Sequence, residues 1–598
     1  MSDAHLLITE NIDVWTTAIK KRSSQGRGNN KKIKLTGIKK LRELILELAV
    51  RGKLAPQDPN DEPASILLER IAALKTHLVN DKKIKKSKQL PEISEEEKPF
   101  DLPKTWSYTR LGNIVSIIRG ITFPASEKHR EPALGRVACL RTANIQDNID
   151  WEDLLYVDEK FVKRSEQMIE LGDIVMSMAN SRELVGKVAF VSSIPTKSAS
   201  FGGFLSVIRP YEISASFLMV VLRTPHVKNK LIGSASQTTN IANVSLEKLN
   251  PLLVLVPPLA EQHRIVAKVD ELMALCDQLE QQTEDSITAH KTLVETLLAT
   301  LSNSETPAAF KQNWTRIAEH FDTLFTTEHS IDQLKQTVLQ LAVMGKLVPQ
   351  NPNDEPAYVL LEKIAAEKEQ LIKDKKIKKQ KPLPAITEDE KPFELPSGWE
   401  WCRLEYVALN SEAGWSPRCL PTPREDDKWG VLKVSSVTWG RFNPDENKEL
   451  PNSLEPRVQY EIKDGDFLIS RANTAELVAR AVIVPNGAPK KLMMSDKIIR
   501  FVLSPNIEGS FISLVNNSSV SRNYYAEVAG GTSSSMKNVS REQIRSLVIA
   551  LPSLSEQYRI VKKVDELITL CDQLKARLSE AQTTQLQLAN TIVDQAVN

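Results

Sequence analysis

A long block of this chain is written twice. Residues 41–111 read LRELILELAVRGKLAPQDPNDEPASILLERIAALK…DKKIKK…EKPFDLPKTWSYTRL, and residues 334–404 read LKQTVLQLAVMGKLVPQNPNDEPAYVLLEKIAAEK…DKKIKK…EKPFELPSGWEWCRL. The offset is 334 minus 41, or 293, and well over half the positions are identical. A second block, EQHRIVAKVDELMALCDQL at 261–279, returns as EQYRIVKKVDELITLCDQL at 556–574 with four of nineteen positions changed. Solenoid repeats have periods of about 20–50 residues, so this is not one. It describes two similar halves in a chain of 598 residues. The stretches between the blocks, about 112–240 and 405–535, have drifted far apart. Neutral drift should not spare the blocks so well, so the inserts read as domains that diverged under selection.

The residues from Glu261 to Ser302 include no Pro or Gly. Ile265, Val269, Leu272, Cys276 and Leu279 are spaced 4, 3, 4, 3, an a/d heptad seam, and Ile560, Val564, Leu567, Cys571 and Leu574 repeat it. Each segment predicts a helix of about 40 residues, about 60 Å long. So narrow a stripe wants a partner helix, and the other copy is the obvious one. The seam cysteines read as small core residues. Further helices are predicted at 36–55 and 64–80, with a charged, Pro-broken linker at 81–105 and its copy at 374–398. Strand candidates in the inserts are 171–179, 185–191, 204–210 and 251–257, then 431–437, 464–472, 479–485 and 497–505.

Each insert therefore reads as a compact α/β domain between helical spacers, an α+β chain with a pseudo-twofold repeat. The expected divisions are a basic arm at 1–35, a helical repeat and linker at 36–105, a first insert domain at 106–260 and a long helix at 261–303. A connector and second helical repeat follow at 304–398, then a second insert domain at 399–555 and a second long helix at 556–598.

Composition narrows the function classes. Net charge is +2, so any basic surface is local, and no run of about 18 apolar residues suggests a spanning helix. The first residues lack a secretory signal's pattern. Five cysteines, never as CxxC, suit a reducing cytoplasm better than a disulfide framework or zinc finger. Motifs for chemistry are missing. GKL at 52–54 and 345–347 lacks the upstream glycine of a phosphate loop, FGGF at 201–204 is too short for a dinucleotide fingerprint, and PDENK at 444–448 sets its acids adjacent. No histidine pair suggests a metal site.

What remains is polar. Residues 20–42 hold ten Lys or Arg and no acid, which reads either as a solvated arm or as a phosphate contact. KKIKK runs at 82–86 and 375–379 are equally compatible with solvated loops. Inside the inserts, candidate DNA contacts cluster at loop ends. The first insert offers Arg141, Thr142 and Asn144, then Asn180, Ser181 and Arg182, then Gln237, Thr238, Thr239 and Asn240. The second offers Lys433, Ser435 and Ser436, then Arg471, Asn473 and Thr474, then Thr532, Ser533, Ser534 and Lys537. These are side-chain types that read base edges and hold phosphates. Positions matched between the copies, such as Asn180 and Asn473, suit turn caps equally well, so base reading is assigned to their unmatched neighbours.

The arrangement resembles the specificity subunit of type I restriction–modification enzymes. The resemblance rests on LPKTW (102–106) and LPSGW (395–399) opening each insert, on LGDIV and DGDFL within, and on NVSLEKLNPLLVLVPPLAEQ (243–262) and NVSREQIRSLVIALPSLSEQ (538–557) closing them. It implies two target recognition domains held apart by two antiparallel helices, each reading one half of a bipartite double-stranded DNA site. It implies no catalysis and no cofactor in this chain. Two modification subunits would supply S-adenosylmethionine-dependent adenine methylation, and two restriction subunits would supply ATP- and Mg2+-dependent translocation and cleavage. The long arm and helical repeats suggest a larger-bodied subfamily whose extra helices dock the methyltransferases. Two other readings compete: a coiled-coil scaffold whose inserts bind proteins, and a DNA enzyme with an unrecognised site.

Overall fold

A computed structural model describes residues 8–21, 33–84, 86, 88–237, 241–425, 427–438, 440–533 and 536–597. The chain divides into two compact units, one of residues 1–286 and 580–598 and the other of residues 287–579. The long helices are Leu259–Ser302 and Leu554–Val597, 44 residues each. The first begins among residues 1–286 and ends among residues 287–579, and the second begins among residues 287–579 and ends among residues 580–598. Among the described residues no helix is long and apolar enough to cross a membrane.

The helical repeats form where the sequence places them, at Thr36–Val50 and Ala64–Asn80, then at Glu328–Val343 and Ala357–Lys373. Pro63 and Pro356 stand just before the second helix of each pair, where the missing N–H costs nothing. The glycine of each GKL stands just past the first helix with φ +68° and +69°; a Cβ on Gly345 would come within 2.6 Å of Pro396. Only glycine meets both demands. The GKL lysines hold helix ends. In the second unit Lys346 Nζ donates to the carbonyls of Ser302 and Ser304, both at 3.0 Å, and in the first Lys53 Nζ donates to Ala596 O at 3.3 Å. A cation there satisfies carbonyls that a helix terminus leaves orphaned.

The seam residues are buried, with Leu279, Leu567 and Leu574 partly so. Their neighbours include more than the other spacer helix. In the second unit Ile560, Val564 and Cys571 share one core with Val294, Leu298 and Leu301 of the first long helix and with Ile331, Leu334 and Val338 of the repeat helix. Salt bridges fasten that repeat helix, Lys335 to Asp572 and Lys575 to Asp332 (2.8 Å). In the first unit Arg42 does the same, reaching Asp277 and Glu280 at 2.6 Å each. Arg42, the last member of the basic run, is thus engaged in holding helices together. Most of the run, residues 22–32, lies outside the described residues. Upstream of it, Trp15 is fully buried, its backbone closely approached by Gly37.

Each insert is built on an antiparallel four-stranded sheet. Its strand order is 115–119, 205–210, 174–177, 188–190 in the first and 408–413, 498–503, 467–470, 481–483 in the second. A three-stranded sheet lies beside it, ordered 199–201, 136–140, 155–158 and 447–449, 430–432, 492–493. The closing strands 253–256 and 548–551 pair with the opening strands 107–110 and 400–403. VLKVSSV is strand only at its start, because Ser436 Oγ donates to Lys433 O at 2.7 Å and the chain turns into a short 3-10 helix at Val434–Val437. The Gly-Asp turns enter the central strands as expected. Asp173 takes a bidentate pair from Arg209 (2.7 and 2.8 Å), and Asp466 is met by Arg500 at 2.8 Å.

Candidate nucleic-acid interface

A small third sheet gathers two of the three predicted clusters in each insert. In the first, strand 242–243 lies between 179–180 and 236–237, with Ala242 opposite Asn180 and Gln237 opposite Ala242. In the second, strand 536–538 lies between 472–473 and 530–533, with Lys537 opposite Asn473. Segments about 60 residues apart in sequence thereby become neighbours.

Asn180 and Asn473 behave alike. The side-chain oxygen of each accepts the next residue's N–H, from Ser181 and Thr474, at 2.8 Å in both. The shared asparagine holds the turn, and the flanking residues differ. Ser181 and Arg182 are exposed. Thr474 and Arg471 are partly exposed, and Lys537, also partly exposed, donates to Gly531 O at 2.9 Å. Gln237, Thr532 and Ser533 occupy strand positions, while Thr238, Thr239, Asn240 and Ser534 lie outside the described residues.

The remaining cluster in each insert is tied into its own loop. Asn144 is 1% exposed; it accepts from Arg141 N at 2.8 Å and donates to the carbonyls of Asp150 and Asp153. Arg141 reaches the Asp153 carboxylate and carbonyl, both at 2.7 Å, and Thr142 is half-buried beside them. That loop is joined to the chain just after the Asn180 turn through Lys187, which donates to Gln146 Oε1 at 2.9 Å. In the second insert Ser435 (2.5 Å) and Lys433 (3.4 Å) both meet Glu446, and together they hold its carboxyl below the usual carboxylate range. Ser436 is buried.

Two matched networks outside the predicted residues fix the inserts to the helices. Trp106 Nε1 donates to Glu261 at 2.9 Å, and Trp399 Nε1 to Glu556 at 3.1 Å. Arg110 joins Glu97 to the carbonyls of Pro91, Glu92 and Pro251, and Arg403 joins Glu390 to those of Pro384, Ala385 and Ser546. The repeat itself was the signal for these, since every side-chain partner recurs at the matching position. Among the described residues no group of His, Cys, Asp or Glu is arranged to hold a metal ion.

The family model described as "Type I restriction modification DNA specificity domain" matches residues 103–289 and 418–582, once on each insert and the helix that follows it. The chain belongs to the type I restriction–modification specificity family. It is similar to the EcoEI specificity subunit of Escherichia coli, with 46% identity over 99% of both chains. It is also similar to the EcoAI specificity subunit of Escherichia coli, with 42% identity over 99% of both. The EcoKI specificity subunit of Escherichia coli strain K12 is 26% identical over 83% of this chain and 89% of its own. Family membership places the matched scaffold and the diverged inserts in one frame, because the model covers both inserts despite their drift.

Proposed function

We propose that this chain is the noncatalytic DNA-specificity subunit of a type I restriction–modification complex, working in the cytoplasm. Each insert reads one half of a bipartite duplex target, and the long helices set the gap between the halves. The observation that carries this reading is the pairing of near-identical scaffolds with unlike small sheets. In each insert Asn180 or Asn473 holds the same turn while the residues beside it change. A symmetric frame with two different readers suits an asymmetric split sequence, since half-site spacing follows from protein geometry. The partners are double-stranded DNA, methyltransferase subunits and restriction subunits, two of each subunit. S-adenosylmethionine, ATP and Mg2+ belong to those subunits. The helical repeats at 41–100 and 334–393 dock the methyltransferases.

Single-molecule methylome sequencing of the host, with the gene intact and deleted, tests the reading. Loss of methyladenine from one split motif supports it. Identical methylomes in a host whose methyltransferase subunits are expressed count against it. Full assembly with both methyltransferase copies after deletion of 41–100 would sink the docking assignment.

A further inference from the structure

The same backbone hydrogen bonds recur around the two small sheets. In the first insert Met178 N donates to Phe204 O at 2.9 Å, Leu205 N to Gly202 O at 2.8 Å, and Val244 N to Met178 O at 2.9 Å. In the second, Arg471 N donates to Lys497 O at 2.8 Å, Ile498 N to Ser495 O at 3.0 Å, and Val539 N to Arg471 O at 2.9 Å. Subtracting the repeat offset of 293 from 471, 495, 497 and 498 returns 178, 202, 204 and 205. Met178 and Phe204 therefore stand where Arg471 and Lys497 stand.

The chemistry at this matched pair is opposite. Phe204 is 68% exposed on a turn packed backbone against backbone, where a Cβ on Gly120 would come within 2.2 Å of Gly202 O. Arg471 is partly exposed and Lys497 is exposed, and neither side chain has a hydrogen-bond or ion-pair partner among the described residues. The adjacent acid, Asp496, is bonded to Ser416. A single exposed apolar ring is ordinary on a protein surface. What distinguishes Phe204 is its place, one strand pairing from Asn180, at the position where the other insert carries Lys497, with Arg471 at the position of Met178.

We infer that this position is a base-selecting site in both inserts: Phe204 contacts the 5-methyl group of a thymine, Arg471 donates to O6 and N7 of a guanine, and Lys497 neutralises a neighbouring phosphate. The inference rests on the DNA-reading function proposed above. An apolar ring distinguishes thymine by its methyl, and a guanidinium fork matches the two acceptors of guanine where a lysine cannot. A lone ammonium meets phosphate without regard to sequence.

The test uses the complex of the full chain with its methyltransferase subunits, on duplexes carrying every single base-pair substitution of the methylome-defined target. Arg471→Ala lowers discrimination at one G·C pair of the second insert's half-site by about tenfold to a hundredfold, and Arg471→Lys recovers only part of it. Lys497→Ala weakens all targets alike and makes the salt dependence shallower by about one ion. Replacing one thymine of the first insert's half-site by uracil slows the unaltered complex but not Phe204→Ala. If Arg471→Ala keeps full discrimination, or Phe204→Ala responds to uracil as the unaltered chain does, the inference is wrong while DNA reading stands on the other half-site. A complex with no preference for any split target overturns the functional reading itself.

Discussion

Single side chains tie each insert to its scaffold, and their energetics follow from burial. Arg110 is nearly buried and forms two hydrogen bonds with Glu97, at 2.9 and 2.8 Å. Those bonds, with the Ser94 N–H, hold the Glu97 carboxyl down at about 2, from an ordinary 4.5. A depressed folded value means the pair's contribution is present above 4.5 and is lost as pH falls towards about 2. Acid unfolding followed by circular dichroism should show that loss in the wild-type chain and less of it in Glu97→Gln. Glu261 runs the other way: burial pushes its carboxyl up, and the Trp106 indole N–H offsets part of the rise. Trp106→Phe leaves that carboxylate without its donor and should cost about 1–3 kcal/mol near neutral pH, read as a lowered unfolding temperature. Trp399→Phe should cost less, because Gln350 still donates to the Glu556 carboxylate at 3.3 Å.

At the scale of elements, the spacer helices depend on what caps and packs them. Their hydrophobic stripe is too narrow for independent burial, and the repeat helix Glu328–Val343 joins the core in the second unit. Leu298 is 4% exposed there, so Leu298→Ala should cost about 2–5 kcal/mol by chemical denaturation. Lys346 closes the carboxyl end of the first spacer helix. Lys346→Met should cost about 1–2 kcal/mol and speed amide hydrogen exchange in the last turn before Ser302, leaving the helix centre protected. GKL lacks the upstream glycine of a phosphate loop. The glycine's positive φ and the lysine's bonds to helix-end carbonyls account for the motif as a helix stop and a clamp.

For the whole molecule, two copies of one scaffold with two unlike readers predict modular specificity. Exchanging residues 106–260 with 399–555 should exchange the two half-sites in the methylome and leave the gap unchanged. Inserting four residues into each long helix adds about 6 Å and should lengthen the gap by about one to two base pairs. The repeat, the heptad seam and the diverged inserts were legible in the sequence because each is a periodicity or an identity along the chain. The long helices, their paired scaffolds and the central strands of the inserts follow from that alone. The base-reading candidates were legible only as residue types. Polar loops look alike in sequence, and hydrogen bonding decides which side chains remain available. Asn144 and Ser436 turn inward to hold their loops, whereas Arg471 has no side-chain partner among the described residues. Phe204 carried no signal in the sequence. The repeat offset aligns it with Lys497, but only the pairing of distant strands sets its backbone against Met178, beside the Asn180 turn.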